Sequence, residues 1–223
     1  MGQTVILTAS DGFKLGAYRA DPVSTPKGAI VVIQEIFGVN SHIRNICDRL
    51  ANEGYVAVAP AIFDRIAPDF QSGYTPEEVA VARKFVAAPD WPAMLRDTQA
   101  AIDAVKNIGP VGIIGFCLGG SVAYAAATKL SGLSAAVGYY GGAVVRFADD
   151  KPKAPTQLHF GEKDHGIPLS DVETITAKRP DVEVFVYPGA QHGFGCDERA
   201  SYDKASSDLA WQRSLAFFGA HLK

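Results

Sequence analysis

The sequence predicts an α/β protein: one domain spanning residues 1–223, with a mostly parallel sheet covered by helices on both faces. Three observations carry this. Short β-rich runs alternate with helical runs along nearly the whole chain. Several of those runs are apolar throughout, the pattern of strands buried on both faces. No repeat, low-complexity tract or linker-like stretch divides the 223 residues.

The elements follow in order. Residues 4–9 and 13–20 read as strands flanking Ser10-Asp11-Gly12, a hairpin turn. Residues 28–34 form a buried strand. From Ser41 to Glu53, Ile43, Ile46, Cys47 and Leu50 recur on one helical face, and Gly54 stops the helix. Residues 55–59 are the next buried strand. Pro60, Pro68 and Gly73 make residues 60–74 a loop. Thr75-Pro76-Glu77-Glu78 then opens a helix, because Thr75 can cap it, proline suits its first turn, and Glu78 completes a capping box. A further helix runs from about Pro92 to Asn107. Strand 111–115 leads into an Ala-rich helix, 118–130. Strands at 133–140 and 156–160, a helix at 169–178, a strand at 182–187 and a long final helix from Tyr202 to His221 complete the chain.

Composition excludes several classes. Hydrophobic residues are 48% and charged residues 20%, which rules out disorder. The net charge is −3 and no basic run appears, so no nucleic-acid footprint is expected. No apolar stretch approaches the ~20 residues of a membrane helix, and the N-terminus does not resemble a signal peptide. Cys47, Cys117 and Cys196 are too few for a disulfide scaffold, so free thiols in a reducing cytoplasm are expected. At 23.7 kDa, surface scaling gives roughly 9,800 Å² exposed on folding, ample burial for one core.

The strongest chemical signal is Gly115-Phe116-Cys117-Leu118-Gly119-Gly120. It follows a strand and opens a helix. This is the G-x-nucleophile-x-G turn, with cysteine as the nucleophile. The residues two before and two after the nucleophile must be small so that strand and helix can approach. The helix start favours a thiolate, and the Leu118 N–H would face a developing oxyanion. The plain alternative is a tight turn around an inert cysteine.

A cysteine nucleophile needs a base and an orienting acid. Asp164 follows strand 156–160 and His192 follows strand 182–187, so both lie at carboxyl ends of strands, where open α/β sheets hold their sites. One helix and one strand separate them, so adjacent strands can bring them together. Glu162 is the rival acid. His42 and His221 sit on helices, His159 is inside a strand, and His165 adjoins Asp164 too closely to be oriented by it. Glu35, at the end of another buried strand, can hydrogen-bond the thiol or act on a proton during turnover, with pairing to a surface arginine as the plain alternative, and the Ile36 N–H can supply a second oxyanion donor. Cys47 reads as core packing and Cys196 as a plain loop thiol. There is no HExxH, Walker loop or GxGxxG, so no metal and no cofactor is expected.

Taken together, Gln34-Glu35-Ile36-Phe37-Gly38, Gly115 to Gly120, Gly138-Tyr139-Tyr140-Gly141, Gly161-Glu162-Lys163-Asp164-His165 and His192-Gly193-Phe194 resemble the dienelactone hydrolase family. The segments stand in family order and span most of the chain. The resemblance implies an α/β-hydrolase fold and a cofactor-free carboxymethylenebutenolidase-like enzyme that opens a dienelactone-type lactone to maleylacetate, as in aromatic degradation. It carries the nucleophile onto Cys117, the base onto His192 and the orienting acid onto Asp164. It makes Glu35 the group that helps ionise the thiol when substrate arrives. It also implies substrate contacts from Phe37 and from arginines that hold a carboxylate. One such arginine falls four residues after the histidine in the family, where this chain has Cys196; the nearest arginine is Arg199, and Arg83 is the candidate for the other. The expected partners are a small lactone or ester and water, with no nucleic acid or membrane, and the expected state is a monomer. A general carboxylesterase or thioesterase, and a non-catalytic ligand-binding or thiol-sensing protein, remain as alternatives.

Overall fold

Every strand expected from the sequence joins one eight-stranded sheet in the computed structural model, which describes residues 2–223. β1 (Gln3–Thr8) and β2 (Lys14–Ala20) form an antiparallel hairpin whose turn uses Gly12 at φ 83°. β3 (Ala29–Ile33), β4 (Val56–Pro60), β5 (Val111–Phe116), β6 (Leu133–Tyr139), β7 (Thr156–Gly161) and β8 (Glu183–Tyr187) complete it. The order is β1-β2-β4-β3-β5-β6-β7-β8, antiparallel at β1–β2 and β2–β4 and parallel elsewhere. The chain passes from β3 outward to β4, then returns to place β5 on the other side of β3. Order therefore reverses between β3 and β5, and a crevice opens at their carboxyl ends.

The buried strands feed two cores by simple alternation. Ile30 and Val32 of β3 join one cluster, while Ala29, Val31 and Ile33 join the other. β5 does the same, sending Ile114 and Phe116 one way and Val111 and Ile113 the other. That is why these strands read as unbroken apolar runs, and each fully buried Val or Ile contributes about 1.5–3 kcal/mol. α1 (Ser41–Asn52), α6 (Leu169–Lys178) and α7 (Lys204–His221) cover the first face. α3 (Trp91–Val105) contributes to the second, with much of α4 (Leu118–Lys129). The accessible surface of 9642 Å² matches the value expected for one compact unit of this mass.

Local chemistry sets the helix starts. Asn40 Oδ1 accepts from the Ile43 N–H at 3.3 Å, and Asp203 Oδ1 from the Ser206 N–H at 2.7 Å. α2 (Pro76–Phe85) begins with both halves of the expected capping box. Two details differ from expectation. The final helix starts at Lys204 rather than Tyr202, because Asp203 is its cap. A one-turn helix, α5 (Val144–Phe147), was not anticipated, since one turn is too short to show a period. Among the described residues, no helix is long and apolar enough to cross a membrane.

Candidate active site

The β5–α4 turn builds the centre of the site. Cys117 has φ 56° and ψ −115°, a conformation that L-residues rarely adopt. The glycines around it are obligatory for contact reasons. A Cβ on Gly115 would overlap the Gly119 carbonyl; one on Gly119 would overlap the carbonyl oxygen of Ile33 in β3. Strand, turn and helix meet backbone to backbone, and the sulfur is left half-buried at the mouth of the crevice. The N–H groups of Leu118 and Ile36 donate to no protein acceptor among the described residues.

Two loops converge on that sulfur. His192 Nε2 lies 3.1 Å from Cys117 Sγ, and His192 Nδ1 lies 2.7 Å from Asp164 Oδ2. Asp164 is buried, and its Oδ1 accepts from the Gly166 N–H at 2.8 Å, which fixes the carboxylate plane. Burial opposes charge on His192, but the sulfur and the Asp164 carboxylate outweigh it and hold the ring up to about 10. Glu162, the rival acid, is engaged elsewhere: it accepts from the Gly189 N–H at 2.8 Å. His159 is equally occupied, buried between Tyr187 and Gln157 at 2.7 and 2.9 Å.

Glu35 lies just past β3 and is 1% exposed. Its Oε1 accepts from Arg199 Nη1 at 3.0 Å, and its Oε2 from the Tyr74 hydroxyl at 3.3 Å. Burial raises the Tyr74 phenol, so it remains a donor. The Glu35 carboxylate is therefore held by Arg199 and Tyr74 rather than by the thiol. A cleft of about 500 Å³ opens over Cys117 and His192, with Ile36, Phe37, Arg83 and Arg199 on its walls. The sequence-predicted residues thus come together: Cys117, Asp164, His192, Ile36, Phe37, Arg83 and Arg199 line one cleft, Leu118 opens the helix beneath it, and Glu35 sits behind it.

Two residues escaped the sequence reading. Tyr74 comes from the 60–74 loop, which a bridge between Gly38 and Gln71 ties down over the site. Tyr140 follows β6 at φ 38° and packs its ring 5.1 Å from His192. Neither carries a pattern of its own, though Tyr140 lies in the Gly138–Gly141 segment. Cys196 is no plain loop thiol: it is fully buried, and desolvation pushes it up to about 12. Cys47 packs in the core beneath α1 as expected.

Comparison with known proteins bears on the family and the fold. The profile of the dienelactone hydrolase family matches residues 15–222. A Synechocystis protein, provisionally a carboxymethylenebutenolidase, is 38% identical over 240 residues, covering 99% of this chain and 97% of its own. The carboxymethylenebutenolidase of Pseudomonas putida is 34% identical, with 96% and 94% covered. A Klebsiella pneumoniae crystal structure, provisionally a dienelactone hydrolase, superposes with a TM-score of 0.86 at 32% identity, over 98% of this chain and 99% of that one.

Proposed function

The chain belongs to the dienelactone hydrolase family and is an ester or lactone hydrolase, and from that premise we propose that it opens a small carboxylate-bearing lactone through Cys117 as nucleophile. The observation that carries this reading is the line Asp164–His192–Cys117, joined at 2.7 and 3.1 Å, beneath a cleft that also holds an arginine.

The Cys117 sulfur attacks the lactone carbonyl carbon, and the carbonyl electron pair moves onto oxygen. The Ile36 and Leu118 N–H groups stabilise that oxyanion. As the tetrahedral species collapses, the ring C–O bond breaks and the His192 Nε2 proton passes to the leaving oxygen. The product is a thioester on Cys117. Water then attacks the thioester carbon and gives its proton to His192. The C–S bond breaks and the acid departs. Asp164 keeps the proton of Nδ1 on its own side, so Nε2 faces the sulfur throughout. Thiolates leave more readily than alkoxides, so the first collapse favours a leaving oxygen of low basicity, as in a ring enol.

Arg199 supplies the preference for a carboxylate. It reaches the cleft from three residues beyond Cys196, the position at which the family resemblance puts an arginine, and it is paired with Glu35 at 3.0 Å. An entering carboxylate competes with Glu35 for the guanidinium. The released Glu35 is then free to accept a proton from the thiol. Arg83, exposed on α2, faces the same cleft and adds a second cation.

A three-substrate panel tests this: dienelactone, a neutral lactone of equal ring size, and an aryl ester. Dienelactone should give the largest kcat/KM, and Cys117→Ala should abolish turnover of all three. Equal rates on the charged and neutral lactones would remove the role of Arg199, and near-normal turnover by Cys117→Ala would remove the nucleophile. Fast alkylation of the thiol with no acid released from any substrate would indicate a thiol-sensing protein instead.

A further inference from the structure

Behind the catalytic cleft lies a second group of side chains that the hydrolysis does not need as a group. The Cys196 sulfur, a ring nitrogen of His42 and a carboxylate oxygen of Glu35 all lie within 4.8 Å of one another. The three residues are 0, 2 and 1% exposed. Their numbers are far apart, so no spacing in the sequence announces them. α1 brings His42, the loop after β3 brings Glu35, and the loop after His192 brings Cys196.

His42 shows that the cluster is unfinished as a hydrogen-bonded unit. Its Nδ1 faces the exposed Asp197 carboxylate at 3.7 Å, while its Nε2 is buried with no hydrogen-bond partner. The Tyr140 hydroxyl is likewise buried and unpartnered. Buried polar groups are seldom left unpaired, so orphan atoms around one carboxylate point to an absent occupant. A ring nitrogen without a hydrogen-bond partner has a lone pair to offer a cation whenever it carries no proton.

We propose that Glu35, His42 and Cys196 form a binding site for a thiophilic divalent cation of the zinc type. A thiolate, an imidazole and a carboxylate are the donor set zinc prefers, and magnesium and calcium do not take sulfur. Zn–S and Zn–N bonds of about 2.3 and 2.0 Å put tetrahedral ligand atoms roughly 3.5 Å apart. Side-chain rotations that draw the donors in by about an ångström therefore suffice, and water or the Tyr74 hydroxyl completes the fourth position. The ion with the Glu35 carboxylate and the Cys196 thiolate is neutral as a cluster, so binding with loss of one proton raises the charge there by one, from the −1 of Glu35 alone. Binding forms a metal–sulfur bond and releases the Cys196 thiol proton to solvent. It also fixes Glu35 on the metal, and, on the reading of Glu35 given above, that withdraws the thiol's proton acceptor. Zinc should therefore inhibit hydrolysis reversibly.

The test titrates the full-length protein with Co²⁺ and Zn²⁺. One equivalent of Co²⁺ should produce a thiolate-to-cobalt charge-transfer band and the visible bands of a four-coordinate ion. One equivalent of Zn²⁺ should abolish both. Cys196→Ser should lose the charge-transfer band, and His42→Gln should weaken Zn²⁺ binding more than about a hundredfold, since even outer partners of a ligand are worth 10–100-fold. Cys117→Ser should keep the full spectrum. The wild-type spectrum stands by itself if either cluster variant fails to fold. Absence of a stoichiometric thiolate band in the wild type overturns the site, and so does a band lost with Cys117 rather than Cys196. Stoichiometric binding with undiminished hydrolysis leaves the site standing and overturns the role given to Glu35.

Discussion

Asp164→Asn isolates the part of the site that sets the histidine tautomer. Asparagine matches aspartate in size and keeps an oxygen for the Gly166 N–H at 2.8 Å, so the loop should hold its shape. The loss falls on the 2.7 Å contact to His192 Nδ1. There an amide NH₂ replaces a carboxylate oxygen, and a donor now meets the nitrogen that carried the proton. The ring must shift its proton to Nε2, facing the sulfur, where it can no longer accept one from the thiol or from water. In a serine triad this change costs on the order of 10⁴ in kcat. A thiol ionises more readily than a hydroxyl, so here we expect ~10²–10⁴, or about 3–5 kcal/mol of barrier at 1.36 kcal/mol per tenfold. Steady-state hydrolysis of the preferred lactone measures it, with the His192 ring titration followed by NMR. That titration carries a second expectation. Burial opposes its charge, but the Cys117 sulfur and Asp164 raise His192 to about 10 in the folded chain. The resulting stabilisation is complete below the unfolded value near 6.5 and fades as pH rises through about 10. Urea unfolding should thus show stability falling between those limits in the wild type and a smaller fall in Asp164→Asn. A kinetic loss under tenfold with an unmoved His192 titration would refute the assignment of Asp164.

Two further substitutions test the scaffold. Gly119→Ala drives a methyl group into the carbonyl oxygens of Ile33 and Gln34, which belong to backbone and cannot rotate away. Overpacking of this kind costs about 3 kcal/mol or more, a fall of roughly 6–12 °C in Tm for a chain of this size; calorimetry showing a Tm within 2 °C of wild type would mean that strand and helix can separate freely at this turn. Arg199→Met leaves Glu35, 1% exposed, without its cation, at a cost of about 3–5 kcal/mol. Adding Glu35→Gln should recover much of that in a double-mutant cycle by denaturant unfolding, with a coupling of about 1–3 kcal/mol. Strictly additive losses would show that the pair contributes nothing to the fold.

The strands were legible because each core strand answers to two apolar layers at once. Ile30 and Val32 face one way and Ala29, Val31 and Ile33 the other, so no polar residue interrupts the run. The α2 start was legible because the capping box at Thr75 and Glu78 is closed within four residues. What failed was short or context-dependent. α5 is one turn, and the last helix yields its start to the side chain of Asp203. The 60–74 segment read correctly as a loop, but nothing in its composition says that it folds over Gly38 and delivers Tyr74 to Glu35.

The same division runs through the site. Cys117, Asp164 and His192 could be read because each is fixed by its own local backbone: a strand-to-helix bend in one case, the carboxyl end of a strand in the others. The electrostatic partners were legible only in part: Arg199 and Arg83 could be named as candidates, but not the contacts of Arg199 and Tyr74 with Glu35, because a long flexible side chain is placed by what attracts it rather than by where it leaves the chain. The family resemblance puts an arginine at residue 196, yet the guanidinium that reaches Glu35 comes from residue 199, since the loop turns at Cys196 and Arg199. Turning inward there buries Cys196 beside Glu35 and His42 in place of a cation. A single loop path therefore has two consequences: it gives the cleft its arginine, and it assembles the donor set behind it. Both depend on Glu35, the one carboxylate shared by the cleft arginine and the buried cluster, so a change at Glu35 should disturb the two together, whereas a change at His42 or Cys196 should disturb only one.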